Sequence, residues 1–292
     1  MKIFIDGEYG TAGLCLKEKL LQLQTRIPFE FISISNPKSE IERYQAIQLA
    51  DIAILCLPDD VSIKTCKDLH DIDTIIIDAS TAHRTVPGWT YGFSQMTSFQ
   101  SNIIKQSKRI ANPGCFATGM MAILSPIKNY LVQDMPLIIN GVTGYSAGGK
   151  KTIQKQMETP IHFRTTNLNK EHIHLVEIKH WLNIQNPIAF NPSVASFERG
   201  QIVTMTMFKN HLNISLDGLL FAYYKFYEKF NDIIVIENTP SQIIPEKMAG
   251  RDDLEIYISQ PSKDYINIHA VYDNLGKGSA GSIAKLVEKL IE

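Results

Sequence analysis

Lys2-Ile3-Phe4-Ile5-Asp6-Gly7-Glu8-Tyr9-Gly10-Thr11-Ala12-Gly13 opens the chain, and its reading decides how the first half folds. Lys2 to Asp6 is a short apolar run that stops at glycine, as a strand buried in a parallel sheet does. From Thr11 to Gln24, Leu14, Leu16, Leu20, Leu21 and Leu23 fall at the spacing of an amphipathic helix. Between strand and helix lies a GxxGxxG run. Glycine there lets the backbone turn sharply and lets a pyrophosphate approach its N–H groups, while the helix start adds partial positive charge. Gly7, Gly10, Thr11, Ala12 and Gly13 are therefore the expected nucleotide-binding residues, with Thr11 offering a hydroxyl. The motif alone is a weak signal. Its position at the first β–α turn is what favours a nucleotide over a plain tight turn.

Working outward, Phe29 to Ser35 reads as a strand, Glu40 to Leu49 as a helix, and Ile52 to Leu57 as a strand stopped by Pro58. Val61 to His70 reads as a helix and Thr74 to Asp78 as a fourth strand. This alternation predicts a doubly wound parallel sheet. The rhythm then changes. Leu137–Tyr145, Ala189-Phe190, Ile202–Phe208, Ile233–Ile236, Leu254–Ser259 and Tyr265–Tyr272 look like strands, with helices only around Glu171–Leu182 and Leu216–Phe230. Few crossover helices predict a mixed or antiparallel sheet backed by helices. The expected class is α/β, a dinucleotide-binding doubly wound sheet plus a second α/β domain. A last amphipathic helix runs from Ser279 to Ile291.

The end of the second strand selects the dinucleotide. An acidic residue there would hold a ribose 2′-hydroxyl; Ser33, Ser35, Asn36 and Lys38 instead suit a 2′-phosphate. The expectation is NADP. With 44% hydrophobic and 20% charged residues the chain can bury a core, and a net charge of −1 gives no reason to expect nucleic acid or a membrane surface. No segment approaches the ~18 apolar residues of a membrane-spanning helix, and the polar turn within the first seven residues argues against a secretory leader. Cysteines at 15, 56, 66 and 115 form no CxxC pair, which argues against zinc and disulfides and for the reducing cytoplasm. Cys15, Cys56 and Cys66 sit in apolar or helical patterns and read as small buried hydrophobes.

Cys115 differs. In Ala111-Asn112-Pro113-Gly114-Cys115-Phe116, proline and glycine force a turn, and Phe116 to Ile127 looks helical. Cys115 thus falls at a helix N-terminus, where the dipole favours a thiolate and nearby N–H groups suit an oxyanion.

The loop ANPGCFATG resembles the active-site loop of the N-acetyl-γ-glutamyl-phosphate reductases, in their shorter form. IDGEYGTAGL, IDASTAHRTVPGWTYGFSQM, GVTGYSAGGK, EHIHLVEI, FNPSVASFERG and DNLGKGSAG follow that family in order along nearly the whole chain. The resemblance implies NADPH-dependent reduction of N-acetyl-γ-glutamyl phosphate to the semialdehyde, through a thioester on Cys115, in arginine biosynthesis. It implies a homo-oligomer, dimer or tetramer, with a small-molecule substrate, and it implies acid–base roles for His172, His174 and Glu177. If 171–182 is one helix, Glu177 reaches the His174 imidazole while His172, two residues away, points elsewhere. HxH on a helix does not converge on a metal, so no metal is expected. Arg84 is a suitable fork for the leaving phosphate and Ser80 a contact to cofactor or substrate. Asn112, Ser146, Lys150 and Arg199 are the expected substrate residues, Arg199 for the α-carboxylate. The family also implies that the last helix returns to the first domain and brings Asn274 near the nicotinamide. The expected domains are then 1–115 with 275–292, and 116–274.

Three rivals remain. An aspartate-semialdehyde dehydrogenase shares the chemistry, but its frame is Asn-Cys-Ser/Thr rather than Pro-Gly-Cys. A reductase of carrier-bound aminoadipyl phosphate shares the loops. A dinucleotide-sensing protein without catalysis would not need Cys115, the histidines and Arg84 together.

Overall fold

A computed structural model describes all residues, 1–292. The chain divides into two compact units: Met1–Ser94 with Ser98–Pro113 and Ser279–Glu292, and Gly114–Gly278 with Gln95–Thr97. The crossings fall at 113/114 and 278/279 rather than at 115 and 275. Cys115 belongs to the second unit, because it opens a helix buried there.

The first unit runs β1 (Lys2–Asp6), α1 (Thr11–Gln24), β2 (Glu30–Ile32), α2 (Glu40–Leu49), β3 (Ile52–Leu55), α3 (Asp59–Asp68), β4 (Ile75–Asp78), β5 (Thr90–Tyr91), α4 (Gln100–Lys105) and β6 (Arg109–Ala111). Its sheet has the order β2-β1-β3-β4-β6-β5, and every neighbouring pair is parallel. Ile52, Ala53, Ile54 and Leu55 of the central strand are all fully buried, which a sheet covered on both faces requires. The C-terminal helix Gly281–Ile291 returns to this unit and packs on α1 and α4, with Arg26 paired to Glu288 at 2.8 Å. It starts later than Ser279 because Gly276–Ala280 forms a wider π-turn first. The third helix starts at Asp59, not Val61; Asp59 and Asp60 complement the dipole in its first turn.

The second unit runs α5 (Cys115–Leu124), β7 (Leu137–Thr143), α6 (Gly149–Glu158), β8 (Phe163–Thr165), α7 (His174–Leu182), β9 (Ile188–Ala195), β10 (Gln201–Phe208), α8 (Leu216–Tyr227), β11 (Ile233–Ile236), β12 (Leu254–Ser259) and β13 (Tyr265–Tyr272). Its seven-stranded sheet has the order β11-β12-β13-β10-β7-β9-β8. The sheet is mixed: β11/β12 and β7/β9 are parallel, the other pairs antiparallel. β10 alternates buried and half-buried residues, so one face meets the core. That core is built on α5, whose residues from Phe116 to Leu124 are all buried and which packs on β10, β13 and α7. A helix apolar all round belongs at a centre. Its last carbonyls are satisfied from α8, Tyr223 donating to Ile123 O at 2.5 Å and Tyr227 to Ala122 O at 2.7 Å. No helix is long and apolar enough to cross a membrane.

Candidate active site

In the first unit, the turn after β1 is built as the glycine spacing predicts. Gly7 has φ +83°, and a Cβ there would lie 2.3 Å from the Cys56 carbonyl oxygen. A Cβ on Gly13 would lie 2.2 Å from Gly7 O, and Gly10 N–H closes the turn onto Gly7 O at 3.0 Å. α1 then begins with Thr11, Ala12 and Gly13, with no side-chain cap and no acid in its first turn. Its leading N–H groups and positive end are left for an anion.

At the end of β2, Ser33, Ser35 and Lys38 are exposed. The Ser35 and Asn36 amides donate to the Glu42 carboxylate at 2.7 and 3.0 Å, so Ser35 offers a ligand its hydroxyl rather than its N–H. Arg43 of α2 reaches Asp6 at the end of β1, Nε to Oδ2 2.5 Å. Burial raises the Asp6 carboxyl above its ordinary range despite that guanidinium. Nothing in the helical context of Arg43 marks it in the sequence; only the fold brings it beside the first turn.

At the end of β4, Asp78 is fully buried. Its Oδ1 accepts from Ser80 N–H at 3.0 Å, and its Oδ2 from Ser80 Oγ at 2.7 Å. Oδ2 also lies 2.5 Å from His83 Nδ1, and the His83 ring stacks on Trp89 with centroids 4.0 Å apart. Ser80, expected as a ligand contact, also holds the turn together, and His83 joins it unpredicted. Arg84 is buried, one guanidinium nitrogen reaching Ala79 O at 3.4 Å. Asn112, only 2% exposed, donates to Pro113 O at 3.3 Å, and its Oδ1 has no partner within the chain.

In the second unit, Gly114 is extended and α5 starts at Cys115, again with no acid in the first turn. The thiol residue is half-buried. Gly114 N–H donates to Glu177 Oε2 at 3.0 Å. Glu177, expected to orient an imidazole, also holds the Pro-Gly-Cys turn. On the other side the Tyr272 hydroxyl donates to Cys115 O at 2.7 Å, and a Cβ on Gly278 would come within 3.3 Å of Cys115 Cβ. Burial, and the neighbouring Cys115, push the Tyr272 phenol well above its usual value, so it stays protonated. Burial pushes the Cys56 and Cys66 thiols up to about 12, which disfavours the thiolate form at neutral pH.

The two histidines stand together, contrary to the expectation that His172 points elsewhere. The helix begins only at His174, so the i, i+2 divergence of a continuous helix does not apply. Their ring centroids are 4.4 Å apart, and both flank Phe116, at 5.7 Å for His172 and 6.3 Å for His174. The backbone N–H of His174 donates to His172 Nδ1 at 3.2 Å. A neutral His172 therefore carries its proton on Nε2. His174 and Glu177 are buried, whereas His172 is half-exposed.

Ser146, Arg199 and Asn274 meet in one knot of the second unit. Ser146 Oγ donates to Glu198 O at 2.6 Å and accepts from Asn274 Nδ2 at 2.8 Å. Asn274 Oδ1 accepts from Gly200 N–H at 2.9 Å, and Arg199 pairs with fully buried Asp273. Ser146 and Asn274 are each 1% exposed. Their polar atoms bind the glycine loop, the Glu198–Gly200 turn and the end of β13 to one another. Expected as ligand contacts, they also fasten these loops to one another. Lys150 is exposed in the first turn of α6, where its ammonium adds to the helix's positive end. No three His, Cys, Asp or Glu side chains are grouped to hold a metal ion.

Residues 115–274 match the family model described as "Semialdehyde dehydrogenase, dimerisation domain". The chain is 35% identical to the N-acetyl-gamma-glutamyl-phosphate reductase of Allorhizobium ampelinum, over 99% of this chain and 98% of that one. It is 35% identical to the same-named protein of Brucella suis, over 96% of each, and 34% identical to that of a Chelativorans species, over 99% and 98%. Among solved structures, aspartate semialdehyde dehydrogenase II from Vibrio cholerae superposes with a TM-score of 0.77 at 15% identity, over 99% of this chain and 98% of that one. Aspartate semialdehyde dehydrogenase with NADP from Candida albicans gives 0.70 at 13% identity, over 99% and 98%. These two share the fold; the relatives at about 35% identity share more, and the chain belongs to the N-acetyl-γ-glutamyl-phosphate reductase family.

Proposed function

We propose that this protein reduces N-acetyl-γ-glutamyl phosphate to N-acetylglutamate semialdehyde, releasing phosphate, with NADPH as reductant and Cys115 as the acyl carrier. In arginine biosynthesis this is a cytoplasmic step, and the family's dimerisation domain supports a homo-oligomer. The observation that carries the reading is the Cys115 turn: a half-buried cysteine opening a helix with no acid in its own first turn, whose next residue, Phe116, has two histidine rings beside it, in a chain whose relatives bear that name.

NADP fits the first unit. In the Gly7–Gly13 turn a Cβ at Gly7 or Gly13 would collide with neighbouring backbone, and the α1 start is uncapped; Ser33, the Ser35 hydroxyl and Lys38 suit a 2′-phosphate. When bound, the reduced dinucleotide supplies the hydride. The chain's own residues do the rest. The Cys115 thiolate attacks the γ-acyl carbon, and the carbon–oxygen bond to phosphate breaks with its electron pair leaving on phosphate. Arg84 and the Lys150 ammonium are the proposed counter-charges for substrate anions. N–H groups of the first turn of α5 receive the carbonyl oxygen as it becomes an oxyanion. Once the Cys115 thioester has gained hydride at carbon, His172 Nε2–H protonates that oxygen. Loss of a proton from the oxygen and cleavage of the carbon–sulfur bond then return the thiolate and free the aldehyde. His172 is preferred over His174 because its proton is placed on Nε2 and its ring is the more exposed.

The test runs the reaction backwards, from N-acetylglutamate semialdehyde, phosphate and NADP⁺, following the reduced nicotinamide by absorbance. A phosphate-dependent rise, lost in Cys115→Ser, is the expected result. A rise with aspartate semialdehyde instead would move the substrate assignment, and NADPH binding with no turnover of either aldehyde would refute the enzyme reading.

A further inference from the structure

Three polar side chains lie side by side across the otherwise apolar floor beneath α5. Thr143 of β7, Gln201 of β10 and Tyr272 of β13 are direct register partners on adjacent strands, and none is more than 2% exposed. We propose that this row makes Tyr272 a positioning residue for the nucleophile, its hydroxyl fixing the Cys115 carbonyl and with it the first turn of α5. The proposal rests on the reading of Cys115 as nucleophile.

The hydroxyl's bonding is fully determined. It accepts from Gly119 N–H at 3.1 Å and from Gln201 Nε2–H. Both partners are donors only, so the phenolic proton is directed at Cys115 O, 2.7 Å away. Gly119 N–H and Cys115 O face each other across the first turn of α5, so the hydroxyl touches both the donor and the acceptor of that turn. Gly119 leaves it room, since a Cβ at that position would lie 2.6 Å from the Tyr272 oxygen. Phenylalanine would fill the same space without burying a hydroxyl, and Thr143 Oγ1 and Gln201 Oε1 have no partner within the chain. Such a row is costly to bury, which points to a purpose other than packing.

Its placement supplies the purpose. The Cys115 turn is held at two points, Gly114 N–H by Glu177 and Cys115 O by Tyr272, and Gly278 leaves the space beside Cys115 Cβ open, where a Cβ would come within 3.3 Å. A nucleophile that attacks, carries an acyl group and leaves again needs a frame that returns it to the same place. The peptide whose carbonyl accepts from Tyr272 also carries Phe116 N–H, and a bond at one end of a peptide strengthens donation at the other.

The experiment compares Tyr272→Phe, Gly119→Ala and Cys115→Ser in the full-length enzyme. It measures kcat and KM, the pH dependence of Cys115 alkylation by iodoacetamide, and thermal melting. For Tyr272→Phe we expect KM within about threefold of wild type, kcat lowered about 10- to 100-fold, and the alkylation inflection moved to higher pH. Gly119→Ala, which drives the hydroxyl away, is expected to move the inflection in the same direction. Wild-type kcat and alkylation in Tyr272→Phe, with Cys115→Ser inactive, would overturn the positioning role and leave the nucleophile standing. Loss of kcat that tracks melting, with an unmoved alkylation curve, would reduce Tyr272 to a structural residue. Full turnover in Cys115→Ser would remove the nucleophile itself.

Discussion

Replacing Gly7 by alanine separates two costs that the first turn imposes. The residue has φ +83°, and its new Cβ would stand 2.3 Å from the carbonyl oxygen of Cys56, well inside ordinary contact. A left-handed conformation costs an L-residue about 1–2 kcal/mol. Relieving the collision means moving the end of β1 away from β3 by on the order of 1 Å, an overpacking cost of about 1–3 kcal/mol. That movement endangers the 2.8 Å bond from Cys56 N–H to Asp6 O. The expected total is about 2–5 kcal/mol. Gly88→Ala in the same unit isolates the torsional part, because Gly88 has φ +86° and nothing within 4 Å of its Cβ; about 1–2 kcal/mol is expected there. The assay is urea unfolding in a Trp181→Phe background, where Trp89 of the first unit is the remaining tryptophan. Gly7→Ala no less stable than Gly88→Ala would refute the collision argument.

Further outcomes concern the second unit. Glu177→Ala leaves the buried Gly114 N–H without its carboxylate, which should cost about 1–3 kcal/mol of stability and about 100-fold in kcat through a displaced thiol. Glu177→Gln keeps an acceptor and should recover most of both; a glutamine variant as poor as alanine would mean that charge, not the bond, matters. His269 lies between Thr204 Oγ1 at 2.9 Å and Ser259 Oγ at 3.2 Å, and burial holds its pKa below the usual histidine value. The unfolded chain therefore takes up the proton first. Stability should fall as pH drops through about 6.5 toward the folded value, and His269→Gln should flatten that slope in a pH series of melting curves. An unchanged slope would show that the ring is not the group responsible.

Much of the frame was legible because periodicity reports burial. Helices Thr11–Gln24 and Glu40–Leu49 and strands Ile233–Ile236, Leu254–Ser259 and Tyr265–Tyr272 lie where the apolar spacing places them. The two-residue β5 and the polar α6 carry no such signal and emerge only from tertiary pairing and the glycine loop. The site was half legible. Gly7–Gly13 and Cys115 announce themselves through local chemistry, glycine where a Cβ collides and a thiol at a helix start. Glu177, Ser146 and Asn274 were visible as polar residues in marked segments, yet a polar residue that fastens two loops and one that greets a ligand look the same in one dimension. The placement of His172 beside His174 depends on where α7 begins, and a helix boundary three residues off reverses the geometry. Tyr272 was hidden inside an apolar strand, since its importance lies in neighbours 71 and 157 positions away along the chain.

A covalent acyl group on Cys115 would be visible to intact-mass spectrometry. The enzyme is mixed with N-acetyl-γ-glutamyl phosphate generated in situ, without nicotinamide cofactor, and quenched in acid. The expected result is a mass gain of one N-acetylglutamyl group, mapped to the peptide containing Cys115, discharged on adding NADPH and absent in Cys115→Ser. Steady consumption of NADPH and acyl phosphate with no adduct, or an adduct on another residue, would contradict it.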